Sequence, residues 1–288
     1  MSDLAALSIR FLERCRDLGI LVATAESCTG GGIIALMTDM PGSSSMVDRG
    51  FVTYSNEAKM DMLGVRKATL GAHGAVSRMR DGQTVMLCPT IAPQDTEALA
   101  AGLAEQGIGC IDAPMSGGPA RARDGSMSLM LAAPAALLQR HDAVLARLSS
   151  RRFVISERVG DGARTKLVNN LLAGINLVGA AEVLALADRL GLDLGTTLDV
   201  IEQSSGQSWI GSDRMRRAIA GDFEPRAHVT LLEKDTRLAV EAARQAGFDG
   251  PLGARAAAVF AQARAAGLAD RDDGALLPLL RGQAGQSH

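Results

Sequence analysis

Aromatic residues are nearly missing from this 288-residue chain, at 3% in all, with one tryptophan and one tyrosine. Its cores must therefore be built from alanine, leucine, valine and methionine. Excess charge is missing too. The formal net charge is -2, which argues against a nucleic-acid surface. The one basic cluster, Arg214, Arg216 and Arg217, reads as a solvated helix face. Cysteines are few, and Cys15, Cys28, Cys88 and Cys110 show no paired spacing. That excludes a zinc signature and fits a reducing cytoplasm. The histidines are scattered and His288 is terminal, so no metal site is expected. Met1 to Leu7 has no basic segment followed by an apolar block, as a secretory leader would. The longest apolar stretch, Leu167 to Ala187, is interrupted by Asn169, Asn170, Asn176 and Glu182. It reads as a buried helix of a soluble domain rather than a membrane span. The spaced-glycine fingerprint of a dinucleotide site, G-x-G-x-x-G, is also missing.

What is present falls into three textures. The length suits about two domains with real cores. Near the start, a helix is predicted from Leu4 to Leu18, a strand from Ile20 to Ala25 and a helix from Ile33 to Met40. A loop at Pro41 to Ser45 leads to a strand at Gly50 to Tyr54 and a helix from about Asn56 to Leu63. After Ser77, strands are predicted at Thr84 to Cys88, Gly109 to Ala113, Ser126 to Ala132 and Phe153 to Ser156. They alternate with helices at Ala92 to Gln106 and Pro134 to Leu148, the order of a wound sheet. From Ala163 helical periodicity dominates, with no strand expected and a frayed tail from Arg281. The boundaries adopted are 1–79, 80–160 and 161–288.

The run Gly160-Asp161-Gly162-Ala163-Arg164-Thr165-Lys166-Leu167-Val168-Asn169-Asn170 carries the most chemistry. A glycine turn opens a long apolar helix, and Lys166 and Asn170, four apart, share one of its faces. A partly desolvated lysine beside a polar anchor can trade protons near neutrality. The turn Ser116-Gly117-Gly118 offers a hydroxyl and exposed backbone N–H groups, which suits a substrate carboxylate. Lys234-Asp235 lies on a helix able to pack beside the lysine helix.

From about Thr84 to Leu280 the chain resembles the later part of the 3-hydroxyisobutyrate (β-hydroxyacid) dehydrogenase family. The matching residues are DAPMSGGPARARDGSMS, GDGARTKLVNN, the GQSW run at Gly206 to Trp209, and LLEKDTRLA at Leu231 to Ala239. The resemblance implies Lys166 as general acid/base, Asn170 as substrate binder, and Ser116, Gly117 and Gly118 as the carboxylate turn. It places Lys234, with Asp235, near the cofactor, NAD or NADP. Ser205 to Trp209 would line part of the substrate pocket. It also implies a 6-phosphogluconate-dehydrogenase-like, all-α C-terminal domain of six or so helices for substrate binding and dimerisation. Before that domain an α/β region of composite origin is expected, a Rossmann-like remnant without the usual dinucleotide-binding start. The activity implied is an NAD(P)-dependent oxidoreductase of a small 3-hydroxy acid in a cytoplasmic homodimer or higher homo-oligomer.

Residues from about 4 to 77 resemble the start of the nicotinamide-nucleotide amidase (CinA C-terminal) family. The residues behind this are TAESCTGGG at Thr24 to Gly32, Pro41-Gly42-Ser43-Ser44, GFVTYSNEAK at Gly50 to Lys59, and HGAVS at His73 to Ser77. The resemblance implies Ser27 as nucleophile supported by Tyr54 and Lys59. It ends after Ser77, before that family's later glycine-rich strand and loop, which predicts an inactive Ser27. Nicotinamide-nucleotide amidase is thus the alternative reading, and a catalytically inactive fusion that only oligomerises is another. The fragment also has the order strand, glycine turn, helix and strand, with Glu57 near the place of a ribose-binding acid. Glu26, Ser27 and Cys28 crowd the turn where a pyrophosphate needs close backbone approach, so weak dinucleotide binding is expected.

Overall fold

The computed structural model describes residues 3–17, 19, 22–26, 32–39, 42–52 and 79–282. In the first segment, helix α1 (Asp3–Asp17) precedes strand β1 (Val22–Glu26), helix α2 (Gly32–Thr38) and strand β2 (Val47–Val52). β1 and β2 pair in parallel, so β1, α2 and β2 form a βαβ unit. The loop expected at Pro41 to Ser45 contains a 3-10 turn at Ser43–Ser45. β2 starts before the expected Gly50. A small core of Leu12, Cys15 and Met46 holds this unit together.

A second, five-stranded mixed sheet follows. It contains β3 (Thr84–Leu87), β4 (Gly109–Asp112), β5 (Met115–Ser116), β6 (Ser128–Ala132) and β7 (Arg151–Ser156). β3 runs parallel to β4, while β6 pairs antiparallel with both β4 and β5 and parallel with β7. The short β5 was not expected. The chain breaks at Ala113-Pro114 and resumes pairing with the same neighbour, and Met130 N–H donates to the Pro114 carbonyl at 3.0 Å. Helix α3 (Pro93–Ala104) has its proline in the first turn, where no N–H is missed. Helix α4 (Gly118–Arg123) follows the glycine turn directly. The helix expected from Pro134 to Leu148 is two helices, α5 (Ala135–Arg140) and α6 (Asp142–Leu148), parted at His141. The His141 ring is fixed by the Thr84 hydroxyl at 2.8 Å, a tertiary contact that periodicity cannot show. Ile111, Leu129, Leu131 and Leu145 form the core here.

The rest is helical: α7 (Asp161–Arg189), α8 (Leu194–Glu202), α9 (Trp209–Ile219), α10 (Val229–Gln245), α11 (Pro251–Ala265) and α12 (Leu276–Leu280). The described residues here form no strand, only an isolated bridge between His228 and Asp272. α7 is the described helix long and apolar enough to cross a membrane, but α8 to α12 all pack on it. It is the spine of a core built around Leu177, Leu184, Met215, Phe260 and Leu276. Much of the apolar surface of Leu167, Val178 and Phe260 is therefore satisfied within the chain, while Leu172 stays exposed.

The basic cluster departs from expectation. Arg216 is exposed and paired to Asp199 and Glu202. Arg217 is buried and reaches Asp272 at 3.0 Å, while Arg214 reaches the buried Asp273 at 2.5 Å. These arginines turn inward because α9 packs against the turn at 272–275, whose carboxylates need counter-charges.

Candidate active site

The start of α7 is set by strand β4. Asp112, at the end of that strand and 2% exposed, accepts backbone N–H groups from Gly160 at 2.9 Å and Ala163 at 3.0 Å. Its carboxylate thus satisfies donors that a helix N-terminus leaves open. Burial pushes the Asp112 carboxyl above its ordinary pKa, and the helix N–H groups pull the other way. The neighbouring Cys110 thiol is pushed up to about 12 by burial and then by the Asp112 charge. Gly160 sits at φ 100°, in the left-handed region, so the turn into α7 favours glycine. Gly162 is needed for closeness: a Cβ there would lie 2.7 Å from the Met130 carbonyl oxygen.

One turn further, Lys166 and Asn170 face inward together, 7% and 8% exposed. Asn170 Nδ2 donates to Asp235 Oδ2 at 2.6 Å, and Asp235 is itself buried on α10. Lys234 Nζ contacts Asp235 Oδ1 at 2.5 Å and donates to the Thr90 carbonyl at 2.7 Å. A continuous chain of charge-assisted bonds therefore joins the lysine helix, α10 and the loop after β3. Asn170, Lys234 and Asp235, each predicted from sequence, are brought together. Asp112 and Thr90 were not singled out. Asp112 has a signal in hindsight, an acid ending an apolar strand, whereas Thr90 contributes only its backbone.

The Ser116-Gly117-Gly118 turn lies between β5 and α4. Gly117 and Gly118 have φ of 133° and 67°, a conformation that side chains resist. The Arg121 side chain folds back over it, with Cδ 2.7 Å from where a Gly117 Cβ would sit. Its guanidinium stands 4.9 Å from the centroid of the Trp209 ring, at the start of α9. Trp209 is thus placed beside the Ser116-Gly117-Gly118 turn by a residue that sequence reading passed over. Ser27, Tyr54 and Lys59 lie outside the described residues. Among the described residues no cluster of metal-ligating side chains occurs.

The model for the NAD-binding domain of NADP-dependent 3-hydroxyisobutyrate dehydrogenase matches residues 160–280. L-threonate dehydrogenase from Cupriavidus necator is 37% identical over 212 residues, covering 74% of this chain and 71% of that protein. The chain belongs to the 3-hydroxyacid dehydrogenase family. Another model, the NAD binding domain of 6-phosphogluconate dehydrogenase, matches residues 60–156. The dehydrogenase likeness therefore starts at residue 60, earlier than the expected Thr84, so an NAD-binding domain is represented before the helical domain. The CinA C-terminal domain model matches residues 5–86 and overlaps it. Nicotinamide-nucleotide amidohydrolase from Escherichia coli is 54% identical over 76 residues, which is 26% of this chain and 46% of that protein. Among solved structures, 3-hydroxyisobutyrate dehydrogenase from Salmonella typhimurium superposes with a TM-score of 0.74 at 27% identity. That superposition covers 90% of this chain and 99% of the other.

Proposed function

We propose that the chain is an NAD(P)-dependent dehydrogenase of a small 3-hydroxy acid, with Lys166 as its general acid/base. The observation that carries this is the buried Lys166–Asn170 face, held from both sides. Asp112 fixes the helix start and Asp235 fixes Asn170. Ser116, Gly117 and Gly118 present backbone donors to the substrate carboxylate, and Trp209 walls the pocket. Asn170 orients the hydroxyl, and Lys166 takes its proton.

The residues present fit a dinucleotide at its nicotinamide end. The loop after β3, a parallel strand, is tied by Lys234 to the helix that holds Asn170 through Asp235. Lys234 and Asp235 border that position. NAD or NADP, when bound, would supply the hydride acceptor for the hydroxyl-bearing carbon. The β1–α2–β2 unit takes the place of the first half of the dinucleotide domain. Its parallel pairing and the reach of the Salmonella superposition support this. The three-part division at 79 and 160 follows. A homodimer forms through the helical part, where Val168, Leu172, Val183 and Leu186 of α7 stand exposed.

The test is reduction of NAD+ or NADP+, read by absorbance, with L-threonate and 3-hydroxyisobutyrate. Lys166→Ala should lower turnover about a hundredfold or more while leaving the fold intact. Unchanged turnover in a folded variant rules the role out. Ammonia release from nicotinamide mononucleotide, lost in Ser27→Ala, would favour the amidase reading, for which the local identity to the amidohydrolase is the supporting observation.

A further inference from the structure

We propose that Arg121 is a specificity-determining residue of this site, the cationic half of a receptor for the substrate's carboxylate, with Trp209 as its platform. The proposal rests on the dehydrogenase reading for the identity of the ligand, though not for the contact geometry.

Three observations converge on Arg121. Its stem lies across Gly117, so its head group is held beside the turn whose backbone N–H groups suit an anion. The head group stands over the indole ring, 4.9 Å from its centroid. Among the described residues no carboxylate forms an ion pair or hydrogen bond with it. The nearby Asp124 feels its field, but that carboxylate accepts the Ser126 N–H at 2.8 Å.

A guanidinium stacked on an aromatic ring uses its face and keeps its N–H edges for in-plane acceptors. Two parallel N–H groups match a carboxylate bidentately. The Gly117-Gly118 turn would supply further backbone donors beside it. An acid seated there would touch the sheet lobe through the turn and the helical lobe through the Arg121–Trp209 pair. The ligand class is a small monocarboxylic hydroxy acid, and its neutral amide should be rejected.

Trp209 is the single tryptophan of the chain, so it reports directly. Trp209 fluorescence is followed while 3-hydroxyisobutyrate, and separately its amide, is titrated into the protein without cofactor. Saturable change with the acid and little with the amide is expected. Arg121→Gln should weaken acid binding about tenfold to a hundredfold, and Arg121→Lys less, since it keeps the charge and loses the fork. Thermal melts check that both variants fold. Acid binding is read without cofactor or turnover, so missing turnover in the native chain sinks the dehydrogenase reading without touching this one. Three results overturn the proposal: no saturable response in the native chain, undiminished acid binding in Arg121→Gln, or equal loss for acid and amide.

Discussion

Three glycines in α7 meet three different surroundings, and that makes one substitution informative. A Cβ at Gly162 would lie 2.7 Å from the Met130 carbonyl oxygen and 2.9 Å from Asp112 Oδ2. At Gly174 it would meet the Thr236 methyl at 2.5 Å, and at Gly179 nothing lies within 4 Å. Glycine to alanine in an open helix position gains about 1 kcal/mol, because alanine loses less backbone entropy. Gly179→Ala should therefore stabilise by about that amount. At Gly162 the obstacle is backbone and a hydrogen-bonded carboxylate, neither of which can swing aside. Overpacking of this kind costs about 1–3 kcal/mol. Net destabilisation of about 1–2 kcal/mol is expected, since the first helical turn gains little from alanine.

The two variants should thus differ by about 2–3 kcal/mol. For a protein of this size that is roughly 5–10 °C in melting temperature. Differential scanning calorimetry of both, in one buffer, measures it. Turnover should separate them further. Gly162→Ala pushes the α7 N-terminus off β6, and Lys166 lies four residues on. A displacement on the order of 1 Å there lowers turnover about a hundredfold. Gly179→Ala should turn over as the native chain does. Equal melting temperatures for the pair would show that α7 is not seated against β6 and the Asp112 carboxylate, and the account of the site's geometry would fail with it.

Burial holds the Asp273 carboxyl up to about 6, against the pull of Arg214. The native state then binds that proton more tightly than the unfolded chain, so this group's contribution to stability rises as pH falls from about 7 toward 4. Asp273→Asn should remove that slope, seen as a smaller difference between urea midpoints at pH 5 and pH 7; an unchanged slope refutes it. Calorimetric titration with NAD(H) and NADP(H) should give dissociation constants near millimolar, about 4 kcal/mol, because the sequence after β1 reads Ser27-Cys28-Thr29 and lacks the spaced glycines that normally meet a pyrophosphate. Saturable micromolar binding would show that the first βαβ unit has rebuilt the cradle. Native protein should release no ammonia from nicotinamide mononucleotide, and release that disappears in Ser27→Ala would overturn this.

Local features of the fold were legible from sequence, and features made by distant pairs were not. β4 and β6 are short apolar runs bounded by turn residues, so they announce themselves. The start of α7 was visible because its glycine turn, Lys166 and Asn170 lie within eleven residues of each other. β5 escaped because two residues have no period. The break between α5 and α6 escaped because the apolar pattern runs on through His141, and only its contact with Thr84, 57 residues away, shows why the chain turns there.

The arginines of α9 show the same limit at the level of charge. Spacing alone puts Arg214 and Arg217 near Arg216, and three basic residues in a helix normally share a solvated face. Asp272, 55 residues beyond Arg217, decides otherwise. It accepts from the guanidinium of Arg217 and from the backbone N–H groups of Arg226 at 2.9 Å and Gly274 at 3.0 Å. Burial would raise its pKa, but these donors together hold it below the ordinary value. The Asn170–Asp235 bond spans 65 residues in the same way. Both pairs tie α7 or α9 to segments much later in the chain. A buried carboxylate takes whatever donor the fold brings near it, and neither partner carries a mark of that in its own neighbourhood. Motif spacing could therefore locate the lysine and the asparagine of the site, while the residues that hold them still emerge only once the helices are packed.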